Sequence, residues 1–334
     1  MRDKKGAVEL QFNWIYILIA GAIILALATG FVIRWMHTAE RGRSAESLRN
    51  LETILTSASV VEGGTKLLDT TGIELSYNCK SLRLRGVQIQ SLRTAGMFAP
   101  TDIKGRKAII WSDAWFAPFY VGNMLFFTTD NTRYIIVYDK HNNRSLLMRR
   151  ILFNLIPEQL NIRFIDVTNA STIFDQNNNL VVFAFLDTNP VVFSNVKREK
   201  LGVKFTIDDN NETGSVDFLK PTATGWTNSG SSVWIKREMM LGALVSSDFE
   251  IYNCVYNNFL DRYEIVSGLL AEKVKVLEAN YPNETVYELI EEQLDEIHND
   301  VVSRSFARDV FLDKMKRLEK LNLLLAYKGI PTVY

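Results

Sequence analysis

Histidine is the side chain best suited to acid–base and metal chemistry near neutral pH, and this chain has three, His37, His141 and His298. They lie in different parts of the chain. No two have the spacing that brings two rings to one metal ion, and the HExxH pattern is absent. We therefore predict three surface histidines and no metal site.

Two other segments resemble known chemical motifs only superficially. The run from Gly63 to Lys66 lacks the upstream glycine of a phosphate-binding loop, and its threonine and lysine stand in the wrong order. Ser229 lies in GWTNSGSS, a polar segment that we interpret as a flexible loop, and it is not framed by the GxSxG pattern of a nucleophilic serine. We predict no catalytic residue and no bound cofactor.

Carboxylates are the remaining candidates. The run from Asp208 to Glu212 is rich in oxygen ligands, but it does not match a calcium loop and its Asp and Asn residues are common turn formers. Asp139 and Asp166 lie at the carboxyl ends of two predicted strands of a βαβ unit, and ligands of α/β proteins often bind at such strand ends. A hydrolase or ligand sensor at this edge is one alternative.

The two cysteines, Cys79 and Cys254, are too few for a disulfide scaffold, and their spacing fits no zinc pattern. We expect two buried free thiols rather than one structural disulfide.

A dense aromatic cluster around Pro118 is interpreted mainly as core, with a ligand or partner surface as the alternative: Trp111, Trp115, Phe116, Phe119 and Tyr120.

The longest uncharged run of the chain extends from Leu10 to Ile33. Its 24 residues would form a helix of about 36 Å, enough to cross a hydrocarbon core of about 30 Å. Trp14, Tyr16 and Trp35 lie where aromatic residues meet a membrane interface. The sequence therefore predicts a single-pass transmembrane helix over residues 10–34, with the lipid bilayer as its first partner.

Small residues recur along this helix at Ala22, Ala26 and Gly30, four residues apart. Such a strip lets another helix pack closely, so a homo-oligomer formed through the span is one hypothesis. A cleaved secretory signal is the alternative for the whole segment, with Ala26-Leu27-Ala28 as the cleavage site. The apolar run is longer than an ordinary signal and continues past that site, which favours a signal anchor.

The segment KGAVELQF, from Lys5 to Phe12, resembles the N-terminus of archaeal type IV pilin-like proteins. In that family a peptidase cuts after the glycine, which corresponds here to Gly6. The cut would make Glu9 the third mature residue, where the family's glutamate is usually fifth. The first 140 residues, including the stretch from Ile110 to Ile135, also resemble uncharacterised archaeal single-pass membrane proteins, which bring no known activity.

Basic residues flank the span on both sides, so charge does not decide its orientation. From the pilin-like pattern we place the N-terminus in the cytoplasm and the large domain outside, in the cell envelope. The 38 basic and 38 acidic residues balance, and a surface for nucleic acid would show a basic excess.

The rest of the chain predicts an α/β (mixed α+β) protein. Alternating and buried apolar patterns predict strands at 108–111, 120–127, 134–138, 162–167, 180–186, 203–207, 215–219 and 232–235, with a helix at 145–156. The strand–helix–strand order predicts a βαβ unit within a mixed sheet. After residue 241, apolar residues at helical spacing predict a helical hairpin or bundle, with Thr285 and Glu288 as a capping box.

We therefore divide the chain into five regions: a basic tail (1–9), the span (10–34), an amphipathic stalk helix (35–60), a mixed α/β domain (61–240) and a helical region (241–334). The first functional hypothesis is a non-enzymatic membrane-anchored protein that acts through protein–protein contacts. The alternatives are a pilin-like subunit of a filament or secretion system, and the membrane-tethered hydrolase or ligand sensor.

Overall fold

A computed structural model describes residues 5–60, 63–70, 74–84, 87–90, 96–172, 180–191, 193, 199–304 and 307–334; for residues 5–16, 36–48, 59, 87–90, 170–172 and 199 the description covers the backbone alone. The helices are α1 (Lys5–Val60), α2 (Asn143–Leu155), α3 (Lys236–Ser246), α4 (Phe249–Asn280), α5 (Val286–Ser303) and α6 (Arg308–Tyr327). The mixed α+β class with an N-terminal apolar helix and C-terminal helices is confirmed.

The strands form three sheets. Their bounds are β1 (Lys66–Asp69), β2 (Glu74–Tyr77), β3 (Ser81–Leu84), β4 (Val87–Gln90), β5 (Met97–Phe98), β6 (Asp102–Lys104), β7 (Lys107–Phe116), β8 (Tyr120–Thr129), β9 (Thr132–Tyr138), β10 (Asn161–Asp166), β11 (Leu180–Leu186), β12 (Glu199–Phe205), β13 (Thr213–Pro221) and β14 (Trp226–Ile235). We call β1-β7-β8-β5 the first sheet, β4-β3-β2-β6 the small sheet and β10-β9-β11-β12-β13-β14 the large sheet.

The βαβ unit is confirmed within the large sheet. β9 and β10 pair in parallel and α2 connects them, while β11 pairs in parallel on the other side of β9. β12 continues the parallel set, and β13 and β14 add antiparallel strands at one edge. The carboxyl ends of four parallel strands therefore meet at one edge of the sheet.

The interpretation of residues 225–232 as a flexible loop was wrong, because β14 runs from Trp226 to Ile235. Its serines, threonine and asparagine gave no apolar alternation. The strand lies at the edge of the sheet and much of it is exposed, so polar side chains suit it.

Helix α3 lies at the centre of the fold. Every residue from Glu238 to Ser246 is buried, which is typical of a helix surrounded by protein. Gly242 is required by close packing, because a Cβ there would lie 2.7 Å from the ring of Phe98. One hydrophobic cluster joins α3 to all three sheets, to the end of α1 and to α4–α6. A smaller cluster on the opposite face of the large sheet centres on Phe183, Phe185 and Phe193.

The C-terminal helices pack as a layer, with α5 between α4 and α6. The boundary drawn between residues 240 and 241 falls inside α3.

The prediction of a capping box was wrong. Thr285 is the residue before α5, but its side chain accepts no capping hydrogen bond. Thr285 has helical backbone angles, whereas a capping residue needs an extended backbone to turn its hydroxyl onto the first-turn amides.

Candidate functional site

No residue in the apolar segment Ile17–Trp35 of α1 is buried. The segment Ile17–Trp35 has a mean hydropathy of 2.3, is long enough to cross a membrane and is not buried against the domain. Ala22, Ala26 and Gly30 all lie on this exposed part, and a Cβ added at Gly30 would meet nothing within 4 Å. The strip is thus open to a second helix, and self-association through it stays a prediction.

Among the interface aromatics, Trp35 lies at the end of this segment and is exposed. The side chains of Trp14 and Tyr16, and those at the processing positions Gly6 and Glu9, lie outside the described residues. Their roles stay predictions.

The other end of α1 belongs to the folded domain. Leu51, Leu55 and Ala58 are buried in the main hydrophobic cluster. Sixteen residues separate Trp35 from Leu51, which corresponds to about 24 Å of helix. One continuous helix therefore contains both the exposed apolar segment and part of the domain's core.

The expectation of two free thiols was wrong, because Cys79 and Cys254 form a disulfide with a Cα–Cα distance of 6.3 Å. Cys79 lies in the turn between β2 and β3, where its φ is 66°, and Cys254 lies in α4. The bond ties the small sheet to the helical layer across 175 residues of sequence. Only the packing of these distant elements brings the two sulfur atoms together.

An aspartate lies at or shortly after the carboxyl end of each of the four parallel strands of the large sheet. Asp139 follows β9, Asp166 ends β10, Asp187 follows β11 and Asp208 lies shortly after β12. The predicted position of Asp139 and Asp166 at this edge is confirmed. Asp187 was not predicted to lie at this edge, and Asp208 was considered only as part of the oxygen-rich run from Asp208 to Glu212.

These carboxylates accept hydrogen bonds from the loops that follow the strands, and so hold those loops in place. Asp139 accepts the backbone N–H of His141 at 2.8 Å, and Asp208 accepts the Thr213 hydroxyl at 2.7 Å. The crevice between β9 and β11 is bridged by Asn142, whose amide donates to the carbonyl and carboxylate of Asp187 at 3.2 and 3.1 Å. Within the described ranges, no three His, Cys, Asp or Glu residues are grouped so that they could hold a metal ion.

Asp166 accepts hydrogen bonds at both of its carboxylate oxygens. Hydrogen bonds from the Thr168 hydroxyl and backbone N–H, with a further one from the Lys140 N–H, lower the pKa of its carboxyl group. A catalytic carboxylic acid needs the opposite shift, so that it carries a proton near neutral pH. The arrangement favours loop anchoring, and the hydrolase alternative gains no support here.

The lowered pKa makes a testable prediction. In the unfolded chain the pKa of an aspartate is about 3.9, and at pH above this value the ionised Asp166 stabilises the fold. This contribution is lost as the pH falls through the lower pKa that Asp166 has in the folded protein. Asp166→Asn should therefore lower the thermal midpoint at pH 7, and the gap to the parent protein should narrow at strongly acid pH. Circular dichroism in detergent measures both, with the exposed Asp102→Asn as the control. A gap of equal size at both pH values would contradict the prediction.

Neither described histidine suggests catalysis. His141 is exposed in the turn after β9, and His298 is partly buried, with its Nδ1 atom 3.2 Å from the Ser267 hydroxyl. His37 has a side chain outside the described residues.

The aromatic cluster divides into two parts. Trp111, Trp115 and Phe119 are buried, as the core interpretation predicts, whereas Phe116 and Tyr120 are exposed and contact each other. Phe116 lies at the edge of a cavity of about 480 Å³, which we call the β7–α3 cavity. The cavity is lined by Asp113, Ala114, Phe116, Ile151, Asn211, Glu212, Lys236, Arg237 and Glu238.

The β7–α3 cavity forms where the end of β7, helix α2, the β12–β13 turn and the start of α3 meet. No sequence pattern predicted this cavity. The available signal was the run Lys236-Arg237-Glu238 next to apolar residues, but charged residues at a helix start are common. A second depression, of about 450 Å³, lies beside Asp208 and Asp209, which pair with Arg308 and Arg144 respectively.

Comparison of the chain with protein-family models, with curated protein sequences and with solved structures finds no match. Functional inference therefore depends on the residues and their geometry.

Proposed function

We propose that this chain is a single-pass membrane protein of the cell envelope. Its N-terminus is cytoplasmic, its large domain is extracytoplasmic, and it acts without catalysis by binding another protein. The observation that carries the proposal is an apolar stripe on the outer side of α4.

The stripe consists of Ile265, Leu269 and Val276, which are 63%, 66% and 63% exposed. Their spacing of four and then seven residues keeps them on one side of the helix. The opposite side, including Tyr263 and Val274, is buried against the core. A surface helix usually carries polar residues on its outer side, so three large apolar side chains in a row favour a docking surface.

Charge indicates which partner fits the stripe. Helix α5 lies beside α4 and contains no lysine or arginine, while its acidic residues are Glu288, Glu291, Glu292, Asp295, Glu296 and Asp300. Lys314 of α6 pairs with Glu296 and Asp300. The pKa of Lys275 on α4 is raised, chiefly by its hydrogen bond to Glu272 and further by the charges of Glu291 and Asp295 on α5. A segment with apolar and basic side chains is the complementary partner.

The disulfide and the anchor support the location. Disulfides persist in oxidising compartments and are rare in the cytosol, which favours an extracytoplasmic domain. The exposed apolar segment of α1 supports a span that holds this domain about 24 Å above the membrane interface. Removal of the domain by protease added to intact cells would support this orientation, and full protection would overturn it.

Site-specific photo-crosslinking in native membranes tests the partner surface. A photoreactive residue at position 269 should give one covalent adduct, and Glu291→Lys/Asp295→Lys should reduce its yield at least several-fold. Position 310 is the matched control, because Val310 on α6 is also exposed. Equal adduct yields at positions 269 and 310 would refute the proposed surface. An adduct yield at position 269 that the charge reversal leaves unchanged would refute it as well. An adduct of twice the chain's mass would show a second copy in place of a basic partner.

One observation favours the pilin-like alternative. Helix α1 has no buried residue over Ile17–Trp35, while its other end lies in the core, and apolar helices left unburied in this way can pack together in a filament. Mass spectrometry of the terminal peptide from the membrane-extracted protein separates the two proposals. A start at Ala7 would make filament assembly the better proposal, whereas a start at Met1 or Arg2 would eliminate a processed pilin.

A further inference from the structure

The chain contains four Asn-x-Ser/Thr sequons, the pattern in which an asparagine amide accepts an N-linked sugar. They begin at Asn143, Asn169, Asn211 and Asn283. The glycosylating enzyme must reach both the asparagine and the hydroxyl residue two positions later, and the folded domain must leave room for a bulky sugar. The exposure and the hydrogen bonds of these two side chains therefore distinguish the four sequons.

Two of the sequons have a buried hydroxyl residue. Ser145 is fully buried, and its hydroxyl accepts a backbone N–H at 2.9 Å. Thr213 is also fully buried, and its hydroxyl donates to the Asp208 carboxylate at 2.7 Å. The hydroxyl groups of the sequons that begin at Asn143 and Asn211 are thus bound inside the fold, where an enzyme does not reach them.

The sequon that begins at Asn169 lies directly after β10, within the segment Val167–Thr172. Asn169 already has an interaction partner within the protein, and the side chain of Ser171 lies outside the described residues. This sequon therefore supports no inference about a sugar.

The fourth sequon, Asn283-Glu284-Thr285, lies in the turn between α4 and α5. The backbone N–H of Glu284 donates to the carbonyl of Tyr281 at 3.0 Å, which closes a β-turn with Pro282 and Asn283 at its two central positions. Because proline fixes its own backbone angle at the first of these positions, the asparagine is held at the tip of the turn.

Exposure alternates along this sequon. Asn283 and Thr285 are exposed, whereas Glu284 between them is partly buried. The Glu284 carboxylate accepts hydrogen bonds from the Lys328 ammonium group at 2.7 Å and from the Val286 N–H at 3.2 Å, so the turn is held from its inner side. The Thr285 side chain makes no capping hydrogen bond. Both side chains that the enzyme must recognise are therefore accessible at one fixed turn.

We infer that Asn283 is an N-glycosylation site. The sugar donor is an oligosaccharide linked through phosphate to a polyprenol, and a membrane-bound glycosyltransferase catalyses the transfer. A bond forms between Asn283 Nδ2 and C1 of the first sugar, and the bond between C1 and the phosphate oxygen breaks. The amide loses one proton, and the polyprenol phosphate leaves with the electron pair of the broken bond. Because such transfer takes place on the outer side of the membrane, the inference rests on the proposed extracytoplasmic location of the domain.

Peptide mass spectrometry of the full-length protein from native membranes tests the inference. The peptide that contains Asn283 should carry a sugar mass on that residue, and the peptides that contain Asn143 and Asn211 should be unmodified. An unmodified Asn283, or a sugar found at Asn143 or Asn211 instead, would overturn the inference. The protease treatment of intact cells separates the two proposals. An accessible domain with an unmodified Asn283 would overturn glycosylation alone, whereas a protected domain with an unmodified Asn283 would overturn the proposed location as well.

Four variants connect the added mass to the sequon. Asn283→Gln and Thr285→Ala should each abolish the sugar mass and increase the mobility on a denaturing gel, whereas Thr285→Ser retains the hydroxyl and should keep both unchanged. Asn280→Gln is the matched control, because it changes a nearby exposed asparagine that begins no sequon. Since Thr285 is exposed and makes no capping hydrogen bond, Thr285→Ala and Asn283→Gln should share one thermal midpoint. A sugar mass that persists in Thr285→Ala would overturn the inference.

Discussion

The double variant Cys79→Ala/Cys254→Ala should lose about 5 kcal/mol of unfolding free energy. The cause lies mainly in the unfolded chain, because a cross-link between residues 175 apart removes much of the unfolded state's freedom. Denaturant titration of the detergent-solubilised protein, followed by tryptophan fluorescence, measures the difference from the parent.

Reduction of the parent protein provides the control for this prediction. It should lower the stability by a similar amount, since it opens the same loop without changing a side chain. A difference below about 1 kcal/mol would show that the unfolded chain is held by other contacts. Alkylation of thiols in intact cells, before lysis, should leave the parent unlabelled if its domain lies in an oxidising compartment.

The disulfide also shows which features of the fold could not be predicted from the sequence. Local patterns predicted β9, α2 and β10, because buried apolar runs and a helical period are properties of neighbouring residues. The pairing of Cys79 with Cys254 depends on how the turn after β2 meets α4, and no local pattern encodes that contact. The strand order β10-β9-β11-β12 is non-local in the same way.

The β7–α3 cavity could not be predicted from the sequence for a related reason. Asp113, Ile151 and Glu238 come from three distant segments, and each is ordinary in its own context. Asp139 and Asp166 could be located because strand ends in a βαβ unit share an edge by topology. Their hydrogen bonds to loop groups could not be foreseen, because these depend on the loop conformations.

Phe98→Ala should destabilise the whole domain by about 3–5 kcal/mol. Phe98 is fully buried in β5, with its ring 5.7 Å from that of Phe126 in the first sheet and 5.7 Å from that of Tyr252 in α4. It also packs against Gly242 of α3. Removing the ring leaves a cavity between the sheet and the helices, so both lose contacts at once.

The same variant tests whether residues 61–240 and 241–334 fold separately. Because α3 crosses this boundary and lies in the shared core, we expect helix content and tryptophan fluorescence to change together in one shifted transition. Phe153→Ala, on the exposed side of α2, is the control and should change stability by only about 0.5 kcal/mol. A helical transition that keeps its midpoint while the fluorescence transition shifts would show two units. The ring of Phe98 would then lie at an interface between domains rather than inside one core.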